Sequence, residues 1–289
     1  MTFLRYAAMA FRADARRLAS STPNGELSLW DTTHPDRPQP VGRLTQGRGK
    51  IVAAAWSPVV PELLTTTSSD GTGALWWLPD DRAPSRVAAW TVSRARPRYT
   101  GWLDGGRWVF SMTADGHTSV WDPDSGTRVG QAEVTGGHPV VAAHCRGTEV
   151  VAVTSSGWAR PWHPQREPGG WIDLSAVPVS ACAWSSTLLA VGTDDGRVTC
   201  VDAGFEPVWD VRVGPARPVA LACSDEGRVV ALSAVGAAVA VDPDGRVQWR
   251  TAPGVAPAGS LAIAGDLVAV GGGPVKPVLL TLATGVRMS

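Results

Sequence analysis

The chain has 289 residues, 44% hydrophobic and 18% charged, with 26 basic side chains balanced by 26 acidic ones. That composition excludes wholesale disorder, and the zero net charge argues against a nucleic-acid binder driven by overall positive charge. No run of 18 apolar residues occurs, so no helix of this chain is expected to span a membrane.

In chain order, the opening MTFLRYAAMAFRADARR carries Arg5 inside its apolar run and does not make a signal peptide. The alternation after it suits a strand, and the chain reads as cytoplasmic. One phrase then recurs: a polar or small cluster, a glycine, and an apolar residue five positions on. Asn24-Gly25 leads to Trp30, Asp70-Gly71 to Trp76, Asp115-Gly116 to Trp121 and Ser156-Gly157 to Trp162. Asp195-Gly196 leads to Val201 and Val235-Gly236 to Val241, and a seventh copy without Asp-Gly lies over Val275 and Leu280. The first six glycines are 46, 45, 41, 39 and 40 residues apart. A fixed period of this length is the mark of a repeat architecture.

Each unit reads as four short strands. In the third they are Tyr99-Leu103, Trp108-Thr113, Thr118-Trp121 and Arg128-Val134. Asp115-Gly116 is a hairpin turn, because a tight turn of the favoured hand needs positive φ. Asp122-Pro123-Asp124-Ser125-Gly126 supplies the next turn. No segment sustains a 3.6-residue apolar period, so almost no helix is expected. The first strands read YAAMAF, IVAAAW, RYTGW, VVAAHC, VSACAW, PVALAC and GSLAIA. Small residues dominate them, as strands crowded round an axis require. The expectation is all-β: one seven-bladed β-propeller of four-stranded antiparallel blades spanning 1–289. The blades fall at roughly 5–45, 50–93, 98–135, 139–175, 178–214, 218–252 and 258–289. The last blade is expected to be incomplete. Too little chain precedes Tyr6 to add a fourth strand there, and only Val286-Ser289 remain at the other end, so the seam between blades seven and one reads as weak.

The lines SSDGTGALWW (68–77), TADGHTSVWDPDSG (113–126), TDDGRVTCVD (193–202) and AWSP (55–58) resemble WD40-repeat propellers of a degenerate bacterial type. The abundance of Ala, Gly, Pro and Arg, with lysine only at Lys50 and Lys276, fits a GC-rich bacterial genome. The resemblance implies a buried set of His, Ser or Thr, turn Asp and Trp. Asp70 with Trp76, Asp115 with Trp121, Asp195, Trp162 and His138 (of Gly137-His138) are the residues that match, and no repeat carries the full set. VDAGFEPVWDVRV (201–213) and AVDPDGRVQWRT (240–251) are similar to quinoprotein-type repeats, with Trp209 and Trp249 on the fourth strand capping a neighbouring blade. Trp90 and Trp171 are candidate equivalents.

Chemistry is sparse. There is no G-x-S-x-G, and Gly49-Lys50 lacks the rest of a phosphate loop. Asp122/Asp124 and Asp242/Asp244 belong to turns. The five His (His34, His117, His138, His144, His163) and the four Cys (Cys145, Cys182, Cys200, Cys223) show no metal-ligand spacing. The expectation is therefore no enzyme, no metal and no cofactor. Loops offer more. Connections between blades should share one face with the second-to-third-strand hairpins. Arg43, Arg48 and Lys50 there adjoin Arg94, Arg96 and Arg98, and His117, Trp158 and Arg197 follow hairpin glycines. These are the candidate partner-binding residues, suited to a protein partner with an acidic or phosphorylated segment. The reading is a non-catalytic interaction scaffold or adaptor. The alternatives are a quinoprotein-like or metal-dependent propeller enzyme, and a sensory or regulatory module of a larger signalling system.

Overall fold

The computed structural model describes residues 8–22, 24–92, 97–254, 259–271 and 277–288. Blade 1 comprises β1 (Met9–Phe11), β2 (Arg17–Ser21), β3 (Leu27–Asp31) and β4 (Gln39–Leu44). Blade 2 has β5 (Ile51–Trp56), β6 (Leu63–Ser68), β7 (Thr72–Trp77) and β8 (Ser85–Thr91), and blade 3 has β9 (Pro97–Leu103), β10 (Trp108–Thr113), β11 (His117–Trp121) and β12 (Arg128–Glu133). Blade 4 has β13 (Val140–Arg146), β14 (Glu149–Thr154), β15 (Trp158–Trp162) and the two-residue β16 (Ile172–Asp173). Blade 5 has β17 (Val179–Trp184), β18 (Leu188–Thr193), β19 (Arg197–Asp202) and β20 (Pro207–Arg212). Blade 6 has β21 (Pro218–Cys223), β22 (Val229–Ser233), β23 (Ala238–Val241) and β24 (Val247–Thr251), and blade 7 has β25 (Ser260–Ala264), β26 (Leu267–Gly271) and β27 (Val278–Thr281). Every pairing within a blade is antiparallel and sequential. The only helical element among the described residues is a 3-10 turn at Asp104–Gly106.

The seven first strands contact one another in succession, β25 and β1 included, so the sheets form a closed ring and the fold is a seven-bladed β-propeller. Small residues allow this crowding: the β5 run Val52-Ala53-Ala54-Ala55 is half-buried against its neighbours. The second and third strands carry the bulk of the core, such as the fully buried Phe110, Met112, Val120, Val150 and Trp162 between blades 3 and 4. The hydrophobic effect thus acts mainly between blades, at roughly 25 cal/mol per Å² of apolar area removed from water.

The seam is better built than the sequence suggests. Blade 7 has three named strands, and Val286–Met288 turns back along β27 as a rudimentary fourth. Thr281 N–H donates to Val286 C=O at 2.9 Å, Met288 N–H donates to Leu279 C=O at 2.8 Å, and Leu280 bridges Arg287. Across the junction, fully buried Leu18, Ala269 and Leu279 pack with Met9, Phe11, Trp30 and Met288. A side chain at Gly271 would strike the Met9 methyl, at 2.3 Å.

At the first-to-second-strand end of the ring, an ionic cluster ties blade 1 to blade 2. Arg12 is 4% exposed. It donates to Asp14 at 2.8 Å and Asp80 at 3.0 Å, while Arg17 reaches Asp80 at 3.0 Å and Asp31 at 3.3 Å. All three carboxyls titrate below the ordinary range. Partial burial opposes this for Asp14 and Asp31 but is outweighed, chiefly by the Arg12 hydrogen bond to Asp14 and by the Thr33 backbone N–H to Asp31; for Asp80 the Arg12 hydrogen bond is the largest cause. A depressed folded-state pKa contributes stability above the unfolded value, about 4, and that contribution is lost as pH falls through the folded value. Asp80→Asn is therefore expected to lower Tm at pH 7, with the gap to wild type closing as pH falls below about 4. A gap constant from pH 7 to pH 3 in thermal melts would refute the cluster's role.

Candidate interaction face

The second-to-third-strand hairpins and the connections between blades lie at one end of the ring and are hydrogen-bonded together. Ile51 N–H donates to Gly25 C=O at 2.8 Å, and Ser69 N–H to Lys50 C=O at 2.8 Å. The same clamp recurs as Val92 to Gly71 (2.8 Å), Val134 to Gly116 (3.0 Å), Leu174 to Gly157 (2.8 Å) and Val213 to Gly196 (3.0 Å). In blades 1 to 5 the connection that follows is thus held by the blade's own hairpin, and this part of the face is a rigid surface of tied loops.

Blade 4 gives this face two exposed tryptophans. Trp158 follows the hairpin glycine and is 40% exposed. Its backbone is fixed: Trp158 N–H donates to Thr154 Oγ1 at 3.2 Å, and that hydroxyl donates to Trp158 C=O at 3.1 Å. Across the β15–β16 pair it opposes Asp173, two residues beyond Trp171. Trp171 is 41% exposed, with the Arg160 guanidinium 4.9 Å from its ring centroid and the His138 ring edge-on at 5.9 Å. Trp171 therefore does not cap the next blade. His138 is exposed in this cluster and takes no part in a buried hydrogen-bonded set. Val177, 37% exposed, lies in the connection that passes over Gly157.

Three of the charged candidates stand beside a carboxylate of their own blade. Arg43 pairs with Glu26 at 3.6 Å, Arg197 with Asp210 at 2.6 Å, and His117 with Asp115 at 3.4 Å. Arg48 and Lys50 are exposed, and Arg98 is half-buried. Arg94 and Arg96 lie outside the described residues, as does Val275.

The repeat Trp residues have diverged in how their indole N–H groups are satisfied. In blade 2, Trp76 Nε1 donates to Thr66 Oγ1 at 2.8 Å, and Thr66 Oγ1 donates to Gln46 Oε1 at 2.5 Å. Gln46 Nε2 donates to the Thr72 backbone and hydroxyl oxygens at 3.0 Å, and the Thr72 hydroxyl donates to Asp70 Oδ1 at 2.7 Å. Gln46, 2% exposed, thus stands where the resemblance implies a His, and the set in this repeat is complete. Partial burial pushes the Asp70 carboxyl up, but hydrogen bonds from Thr72, Ser68 and the Gly49 backbone outweigh it and hold the group below the usual range. Sequence reading missed Gln46 because a lone Gln beside a glycine carries no signature.

The hydroxyl slot explains the other blades. It is Ser20 in blade 1, where Trp30 Nε1 donates to it at 2.9 Å. In blade 3 it is Ser111, yet Ser111 Oγ and Trp121 Nε1 are both buried without partners, and Trp121 stacks on Trp90 at 6.1 Å instead. Asp115 there accepts from Thr113. In blade 4 the slot is Ala152, and Trp162 Nε1 turns to the Arg166 carbonyl at 2.9 Å. In blades 5 to 7 the slot is Val191, Ala231 and Val270, and the Trp position is Val201, Val241 and Leu280. Asp195 keeps only its turn role, accepting from Thr193 Oγ1 at 2.6 Å. Trp249 caps blade 7, donating to Leu282 C=O at 2.7 Å, and Trp209 packs over Gly245 of blade 6.

The cysteines are free, and burial pushes their thiols up, Cys145 and Cys200 to about 11. Among the described residues no three His, Cys, Asp or Glu side chains converge as a metal site would require. No helix of the described residues is long and apolar enough to cross a membrane.

No family model matches the chain. Over 133 residues, 43% of this chain, it is 29% identical to the protein transport protein SEC31 of Mycosarcoma maydis, covering 9% of that protein. Over 292 aligned residues, 89% of this chain, it is 22% identical to telomerase protein component 1 of Rattus norvegicus, covering 11% of it. The chain therefore spans about a tenth of the length of each of these much longer relatives. Closed ring, repeated hairpins and recurrent Trp positions together make this chain a seven-bladed β-propeller.

Proposed function

We propose that the protein is a non-catalytic interaction module of WD40 type that binds a protein partner through the loop face of blade 4. The supporting observation is the pair of half-exposed tryptophans, Trp158 on a hairpin whose backbone is already fixed and Trp171 just before the strand paired with it. Large aromatic anchors on a rigid support lose little entropy on binding and dominate interface energetics. Arg160 and His138 beside Trp171, and exposed Arg48 on the same face, suit a partner segment carrying acidic or phosphorylated residues. The likeness to the fungal transport protein fits this reading.

Trp158→Ala tests it. Capture from native lysate, read by mass spectrometry, is expected to lose the retained partner, with affinity falling by roughly 30-fold, or about 2 kcal/mol. The Tm is expected to stay within about 2 °C of wild type, since removing a side chain already in contact with water leaves no cavity. A large drop in Tm with capture unchanged would make the ring a packing element and overturn the proposal.

A further inference from the structure

At the opposite end of the ring, the first strands share one position that can be compared across all blades. It is the first-strand residue paired with Ala19, Thr65, Phe110, Val151, Ala190, Val230 and Ala269 in turn. Six blades place Ala10, Ala55, Gly101, Ala183, Ala222 and Ala262 there; blade 4 alone places a large polar side chain, His144. The next blade responds. In blades 2 and 3 the following Trp donates its indole N–H back to the preceding blade, Trp56 to Ala10 C=O at 3.1 Å and Trp102 to Ala55 C=O at 3.0 Å. In blade 5 the equivalent Trp184 stacks flat on the His144 imidazole instead, with centroids 4.9 Å apart and planes 11° apart. Among the described residues neither the His144 ring nor Trp184 Nε1 has a hydrogen-bond partner.

Both rings line a cleft of about 320 Å³ between blades 4, 5 and 6. Its outer wall is Phe205, a bulky residue held at φ 67° in the left-handed region. That conformation is costly for such a side chain and persists only where its surroundings impose it. Here Asp202 imposes it, accepting the backbone N–H groups of Gly204 (2.8 Å) and Glu206 (2.9 Å) while Phe205 N–H donates to Asp202 C=O at 3.0 Å. The Arg146 guanidinium lies 5.1 Å from the Phe205 centroid and is anchored to Ala203 C=O at 2.8 Å. The rim therefore carries two carboxylates, Asp202 and Asp225, against one guanidinium already committed to a carbonyl and to Glu149 at 3.7 Å. Burial pushes the His144 pKa down to about 4, so at neutral pH the imidazole is uncharged and leaves an acceptor nitrogen.

We infer that this cleft binds an organic cation, a guanidinium or ammonium group laid on the His144–Trp184 platform and paired with Asp225. Aromatic faces attract such cations, most strongly when they are partly desolvated. The way Arg146 rests on Phe205 shows that the cleft's walls accept a guanidinium. The group belongs either to a basic side chain of a partner peptide or to a free small amine. The site stands apart from the loop face and does not depend on the proposal made there.

Isothermal titration of the full chain with agmatine and with N-acetylarginine methylamide tests the inference, with the uncharged N-acetylcitrulline methylamide as control. Millimolar or tighter binding of at least one cation is expected, with the citrulline compound at least tenfold weaker. His144→Ala restores the residue type of five other blades and is expected to fold, yet to weaken binding at least tenfold; Asp225→Asn, at an exposed turn, is expected to do the same. Tighter binding of the blocked arginine than of agmatine identifies a peptide side chain as the source; the reverse identifies a free amine. No heat with either cation at 10 mM (roughly a −3 kcal/mol threshold), equal binding of the citrulline compound, or binding unaffected by both substitutions would each overturn the inference.

Discussion

Gly157→Ala is expected to destabilise the protein by about 3 kcal/mol or more, while Gly126→Ala costs about 1 kcal/mol. Both glycines hold positive φ, 90° and 67°, so both substitutions carry the left-handed penalty of an L-residue. They differ in space. A Cβ on Gly157 would lie 2.0 Å from the Ser175 carbonyl oxygen, whereas one on Gly126 meets nothing within 4 Å. Backbone cannot swing aside as a side chain can, so the connection over Gly157 must lift and break the Leu174-to-Gly157 bond. Thermal melts of the two variants should differ by roughly 3 °C or more at this chain length. Equal melting temperatures would mean that φ alone, and not the close approach of the connection, governs these hairpins. Because the same connection carries Val177 and follows Trp171, Gly157→Ala should also impair partner capture.

The second large effect is expected at Gln46. Its amide is the only side-chain link among the described residues between the Trp76–Thr66 pair and the Thr72–Asp70 turn. Gln46→Ala leaves the buried Thr66 hydroxyl proton without its acceptor and opens a cavity, and should cost roughly 2–3 kcal/mol. Ser111→Ala in blade 3 is the matched comparison. That hydroxyl is already buried without a partner, so its removal should be neutral or slightly stabilising. Denaturant titrations of the two variants check the contrast. A Gln46→Ala loss no larger than that of Ser111→Ala would show that the network contributes nothing beyond packing.

Turn chemistry and strand content were legible from the chain alone, because they are local. The Asp-Gly and Ser-Gly pairs needed positive φ, and the glycines at 71, 116, 157 and 196 have it. In the third repeat the strands read from sequence match β9 to β12 within two residues at each end. Seven copies of a four-strand unit with crowded, small first strands pointed to a ring, in which each blade's apolar faces are covered by its neighbours. That Trp158 is apolar where other repeats carry mostly polar residues was also readable, but whether its ring packs or faces solvent was left to the structure.

What the sequence could not decide depends on residues far apart in the chain meeting at one point. Gln46 reaches Thr66 and Thr72 only once blade 1's last strand delivers it over blade 2. His144 becomes unusual only when seven first strands are aligned in space and Trp184 turns toward it. Charge balance is equally non-local: Arg43 and Arg197 read as free cations until the sheet pairing sets Glu26 and Asp210 beside them. The seam too was settled in three dimensions, where Met288 and Met9 pack against one buried cluster at the join of the first and last blades. Backbone preference and hydrophobic period act over a few residues and survive in one dimension. Satisfaction of a buried polar group is a property of its surroundings, and only the closed ring supplies them.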